Sequence, residues 1–187
     1  NSQIPKENYL QQVKELTHKH GALLIFDEII TGFRISIGGA QEYFNVTPDL
    51  SCFGKSMGNG MPISALVGRI DIMSNLEDVF VSGTLSGECL SIAAALAVIQ
   101  KMNKEFVIDK LWETGEKLFI AAEAIINSTG TSEYIQFKGL SPWKILNFTY
   151  CPGSSAESIK TFFVREMLKE GILISASHNI SFAHNET

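Results

Sequence analysis

An acid, a lysine and a hydroxyl-bearing segment follow one another along this chain, at Asp27, Lys55 and Thr84. Asp27 closes the apolar run Ala22-Leu23-Leu24-Ile25-Phe26, and Lys55 follows Gly54 after the short run Leu50-Ser51-Cys52-Phe53. Such a run reads as a strand buried on both faces of a parallel sheet, and in open α/β sheets ligands sit just beyond the carboxyl ends of strands. Both groups are therefore expected on one ligand edge. The segment from Phe80 to Gly87 is built of small and hydroxyl residues and leads into an apolar helix, an arrangement suited to a phosphate. Acid, amine and phosphate site together meet the needs of pyridoxal phosphate. Its aldehyde takes an amine as a Schiff base, and its ring becomes an electron sink while a carboxylate keeps the pyridine nitrogen protonated.

These groups need elements that deliver them to one edge. Residues 6 to 19 place Tyr9, Leu10, Val13 and Leu16 at helical spacing, predicting an amphipathic helix ended by Gly21. The strand at 22 to 26 follows at once, and helix then strand is half of a βαβ unit. A Gly-rich stretch, a short helical piece at 42 to 44 and the turn Thr47-Pro48-Asp49 lead to a parallel strand at 50 to 53. Ile63 to Val67 reads as a further strand, Asp71 as the cap of a short helix through Leu76, and 88 to 102 and 106 to 126 as long helices. Beyond about 130 the rhythm changes to antiparallel strands at 134 to 138 and 143 to 149, a helix at 155 to 170 opened by Ser155 and Ser158, and a strand at 172 to 175. The expected class is α/β over 1–130, mainly a parallel sheet flanked by helices, followed by an α+β unit over 131–187.

The bulk composition narrows the partners. With 187 residues, 45% hydrophobic and 19% charged, the chain is long enough and apolar enough to bury a core. Its net charge of −5 carries no basic block, which argues against nucleic acid or an anionic membrane surface and for a small molecule. Cys52, Cys89 and Cys151 form no CxxC pattern, and His18, His20, His178 and His184 lack metal-ligand spacing, so free thiols and no metal are expected. No apolar run approaches the roughly 20 residues that span a bilayer, and no secretory leader is visible, so the expected compartment is the reducing cytoplasm. The N-x-S/T triplets at Asn45, Asn127, Asn147, Asn179 and Asn185 then carry no functional weight. Trp112 and Trp143 read as packing residues.

Three stretches resemble a known family: LLIFDEIITGFR at 23–34, GGAQEYFNVTPDLSCFGKSMGNGMPISALVGR at 38–69 and SGTLSG at 82–87. Their order and spacing are similar to the class III, fold-type I aminotransferases, and within them to the glutamate-1-semialdehyde aminomutase branch. The resemblance implies pyridoxal-phosphate-dependent amino-group transfer on a small amino or oxo substrate. Asp27 would pair with the pyridine nitrogen and Ile29 would pack against the ring. Lys55 would hold the aldehyde as a Schiff base and then carry the 1,3-proton shift. Thr84 would reach the cofactor phosphate of the neighbouring subunit in a homodimer. Two departures stand out. Glu88-Cys89 follows SGTLSG where the aminomutase pattern commonly has Asn-Pro, and the family's phosphate loop, ring-stacking aromatic and substrate-carboxylate residues lie upstream of residue 1. The chain is thus expected to be a fragment, inactive alone. Residues 1–130 would be the C-terminal portion of the large cofactor domain and 131–187 the small domain, whole or in part.

Other readings were weighed beside this one. Asp27-Glu28 after an apolar strand with Gly54-Lys55-Ser56 also suggests a nucleoside triphosphatase, but a P-loop needs glycine at position 49, where Asp stands, and the lysine follows the acidic strand. A fragment or degenerate homologue that binds no cofactor and serves as a scaffold or dimerisation module is the reading from another class. Ile29 could be plain core, and Ser82 and Ser86 could be helix-capping residues. Glu28 could order the site through a hydrogen bond or cap a turn, and the sequence alone leaves both open.

Overall fold

The computed structural model describes residues 3–175 and 177–185. The chain packs as two units, Pro5–Ile108 and the residues from Asp109 onward together with those before Pro5. This division falls in the first turn of helix α5 (Val107–Ser128), ahead of the boundary near 130 that the change of rhythm suggested. The reason is that α5 contributes buried Leu111 and Phe119 to the later unit.

In the first unit, α1 (Tyr9–Lys19) runs into β1 (Ile25–Asp27), and the chain continues through the short helix α2 (Ala40–Tyr43) to β2 (Leu50–Phe53). β1 and β2 pair in parallel with Asp27 opposite Cys52, and β3 (Ala65–Gly68) pairs antiparallel with β2. The order β1-β2-β3 leaves β1 at an edge. The expectation that this run is buried on both faces is corrected: Leu24 is buried, but Leu23 before β1 and Ile25 within it are about half exposed, at 49% and 54%, so the side chains on one face are left uncovered within the chain.

Buried Asp49 staples the entries of these strands. Its carboxylate accepts the Leu24 N–H at 2.8 Å, meets His18 Nε2 at 2.8 Å and accepts from Arg69 Nη1 at 2.8 Å, joining α1, β1, β2 and the end of β3. The Leu24 amide, then His18 and Arg69, hold the Asp49 carboxyl well below the usual carboxylate range. Farther on, α3 (Ile70–Met73) is capped by the backbone at Arg69. Asp71, expected as the cap, lies in its first turn and pairs with Arg69 instead. The apolar helix α4 (Cys89–Lys104) closes the unit, with Ala95 packed against Phe53 and Met57.

The later unit holds α5, the hairpin β4 (Ile135–Leu140) and β5 (Trp143–Phe148), helix α6 (Ala156–Lys169) and β6 (Ser177–Asn179), which pairs antiparallel with β5. Ser155 caps α6 as its position predicts, accepting the Ser158 N–H. The strand expected at 172–175 does not form. Ile172 donates its N–H back to Met167 O at 2.9 Å and Gly171 takes φ +78°, so this segment finishes the helix, while Leu173 stays 88% exposed. The edge of β5 is taken by β6, where the Trp143 indole N–H donates to Ser177 Oγ at 3.2 Å.

Candidate active site

Asp27 ends β1 with an exposed side chain. The ladder continues one step beyond it, where the Glu28 N–H donates to Cys52 O at 2.9 Å, so the backbone around the acid is held to β2. Asp27 Oδ1 accepts the Ile29 N–H at 3.0 Å. Its other carboxylate oxygen has no partner among the described residues. A carboxylate steadied through one oxygen and open at the other is fit to receive a cationic N–H.

Glu28 points the opposite way, into the protein, and is fully buried. Its carboxylate accepts the backbone N–H groups of Ala40 and Gln41, each at 2.8 Å, and the hydroxyl of Thr31. A buried charge is tolerable when charge-assisted hydrogen bonds replace its water, and here two of them come from the exposed amides of the α2 N-terminus. Gly39, at φ +80°, leaves the room: a Cβ there would lie 2.5 Å from Glu28 Oε2. Of the two readings left open by the sequence, the structure shows Glu28 closing the whole loop from 28 to 41.

Lys55 follows β2 and opens a short 3₁₀ turn, Lys55–Met57, with an exposed side chain. Its φ is +38°, a conformation seldom adopted by a residue with a Cβ, and the turn is held by Met57 N–H to Gly54 O at 3.0 Å and Asn59 N–H to Lys55 O at 3.0 Å. Lys55 makes no ion pair among the described residues. The parallel register therefore brings an unpaired amine and a half-open carboxylate to the same sheet edge.

Ile29 is half-buried and lies over Gly54, where a Cβ would approach its Cδ1 to 3.0 Å, so it stands between the acid and the lysine turn. Arg34, which the sequence reading passed over, donates from Nε to Ile30 O at 3.2 Å and from Nη2 to Ser56 Oγ at 3.3 Å. It ties the loop after Asp27 to the residue beside Lys55, and burial lowers its pKa. Only the Arg that closes ITGFR could have hinted at it.

Thr84 sits exposed in a turn and makes no hydrogen bond among the described residues. The segment around it borders an open hollow of about 520 Å³ lined by Pro62, Ile63, Ser64, Leu85, Ser86 and Glu88, among others. The α4 N-terminus is filled by Glu88, whose carboxylate accepts the N–H groups of Leu90 at 2.8 Å and Ser91 at 2.7 Å. The Ser91 hydroxyl, then these amides, lower the Glu88 pKa. That helix end thus carries a carboxylate of its own chain, which satisfies two of its otherwise unpaired amides.

Among the described residues no helix is long and apolar enough to cross a membrane. The family model of the class-III aminotransferases matches residues 2–182. The chain is 36% identical over 190 residues to a glutamate-1-semialdehyde 2,1-aminomutase of Syntrophobacter fumaroxidans, covering 96% of this chain and 43% of that protein. It is 35% identical over 188 residues to a 3-aminobutyryl-CoA aminotransferase of Cloacimonas acidaminovorans, covering 98% and 45%. The internal-aldimine form of FumI from Sphingopyxis sp. MTA144 superposes with a TM-score of 0.85 at 25% identity, covering 95% of this chain and 42% of that one. The chain thus spans less than half the length of the curated relatives it matches.

Proposed function

The chain belongs to the class-III aminotransferase family, and from that premise we propose that it contributes Asp27, Ile29, Lys55 and Thr84 to a pyridoxal-phosphate site for amino-group transfer. The observation that carries the reading is the register Asp27 opposite Cys52, which sets the acid and the lysine turn on adjacent strand ends of one edge. The donor set fits the cofactor: an amine without an ion pair, a carboxylate with one open oxygen, and a branched apolar side chain between them.

Pyridoxal phosphate, when bound, supplies an aldehyde for amines and a ring that takes up the electron pair of the substrate carbon. Asp27 accepts the ring N–H and keeps that nitrogen protonated through a charge-assisted bond. Ile29 shields one side of the ring and excludes water. Lys55 would hold the aldehyde and, with its amine freed by the substrate amine, would move the proton from the substrate carbon to the C4′ carbon of the cofactor, which is the 1,3-shift. Thr84 reaches the phosphate held by the neighbouring subunit, which makes the working form a homodimer. The substrate is a small amino or oxo compound, in keeping with the aminomutases and the CoA-linked aminotransferase among the relatives. The three free cysteines suit a reducing cytoplasm. We assign 1–130 to the cofactor domain and 131–187 to the small domain, the functional boundary falling after α5.

The experiment is absorbance near the edge of the visible on the full-length protein with pyridoxal phosphate. The band is expected in the wild type and lost in Lys55→Ala; its persistence in that variant overturns the lysine assignment.

A further inference from the structure

We propose that Glu28 is the positioning residue of the cofactor acid: by closing the 28–41 loop onto its buried carboxylate, it fixes both the amide that orients Asp27 and the arginine that meets the turn of Lys55. The proposal rests on the cofactor reading above and deepens it.

The path runs through named contacts. Glu28 follows Asp27 directly, is fully buried, and takes three donors from its own loop: Thr31 near the start, Ala40 and Gln41 at the end. Its peptide N–H is held by Cys52 O, so the anchor is tied to β2 through the backbone and to α2 through the side chain. Between those two ties lie Ile29, whose N–H fixes Asp27 Oδ1, and Arg34, whose Nη2 meets Ser56 beside Lys55. The loop is packed closely against its neighbours. A Cβ at Gly32 would strike the Phe53 ring at 2.4 Å, and one at Gly39 would strike the Glu28 carboxylate at 2.5 Å. An ordinary cap would satisfy amides at one helix end; this carboxylate also takes a hydroxyl from the opposite end of the loop. Fully buried where Asp27 and Lys55 are exposed, it acts through them.

Glu28→Gln keeps the shape of the side chain but turns one accepting oxygen into a donating amide, so Ala40 and Gln41 cannot both remain bonded. In hydrogen exchange without cofactor, these two amides are expected to exchange about tenfold faster or more, the worth of a charge-assisted bond. In the full-length protein with pyridoxal phosphate, the pH at which the near-visible band changes is expected to move. kcat should fall roughly ten- to a hundredfold with a smaller change in KM, as misplaced groups do. Leu111→Ala, at a buried site in the later unit, supplies a destabilised control whose band should titrate as in the wild type. If Glu28→Gln does not fold, Thr31→Val removes a single donor and should move the titration the same way by less. A band that titrates unchanged in the Glu28 or Thr31 variant overturns the positioning role. Absence of any Lys55-dependent band in the wild type overturns the cofactor reading instead, so the two failures are told apart.

Discussion

Two acids adjacent in sequence face opposite environments: Asp27 is exposed and Glu28 is sealed in protein. The alternation of a strand turns neighbours to opposite sides, so an acidic pair at a strand end leaves one carboxylate exposed and one buried in a structural role. Asp49 shows the structural kind on its own. Asp49→Ala leaves the buried Leu24 N–H without its acceptor and is expected to cost about 2–3 kcal/mol, the exposed His18 and Arg69 pairs adding little once screened by water. Urea denaturation checks this. His178 sets a pH limit in the other unit, its ring lying 5.7 Å from Phe119 and 5.3 Å from Phe137 with Nδ1 buried and unpartnered. Burial lowers its pKa below the ordinary 6.5, so the unfolded chain takes the proton first. Stability is whole above that ordinary value and falls as the pH drops below it. A urea midpoint measured at neutral and mildly acidic pH should decline in the wild type and less in His178→Gln. The strand ends that carry Asp27 and Lys55 were legible in the apolar runs before them, whereas the contacts of Glu28, Arg34 and Asp49 reach across 13, 22 and 25 positions that no local pattern displays.

At the scale of elements, sequence reading succeeded where periodicity and capping decide and failed where a partner decides. The helices and the β4–β5 hairpin follow from apolar spacing and turn residues, and Ser155 announces α6. Residues 172–175 carry strand-forming side chains, but among the described residues no edge receives them, and the α4 N-terminus is capped by the chain's own Glu88. β1 was readable as a strand and not as an edge, since burial belongs to the sheet and not to the run. Gly115 shows the same dependence inside α5. A mid-helix glycine costs about 1 kcal/mol against alanine, yet a Cβ here would lie 2.1 Å from Ser141 O, in the turn between β4 and β5. Gly115→Ala is therefore expected to destabilise by about 1–3 kcal/mol despite the better helix former, because the hairpin must retreat. A stabilised variant in thermal unfolding contradicts that close approach.

For the molecule as a whole, the surface around Thr84 bears on how the site is completed. Phe80, Val81, Leu90 and Leu96 are 95%, 69%, 64% and 56% exposed along the Thr84 segment and α4, within one unit. Large apolar side chains this exposed suit burial against a partner, and the homodimer proposed above would present the same ones twice. If Thr84 serves the neighbouring subunit's phosphate, association and cofactor retention are linked, and each strengthens the other by mass action. Leu90→Lys with Leu96→Lys in the full-length protein is then expected to shift sedimentation toward the monomer and to make cofactor retention fall on dilution. Thr84→Ala separates the two effects. It should leave the dimer intact and weaken retention about tenfold, the worth of one hydrogen bond to a charged phosphate. Retention that ignores both dilution and the Thr84 change would mean that each subunit holds its phosphate without its partner, and the cross-subunit assignment would fall while the pairing of Asp27 with Lys55 stood.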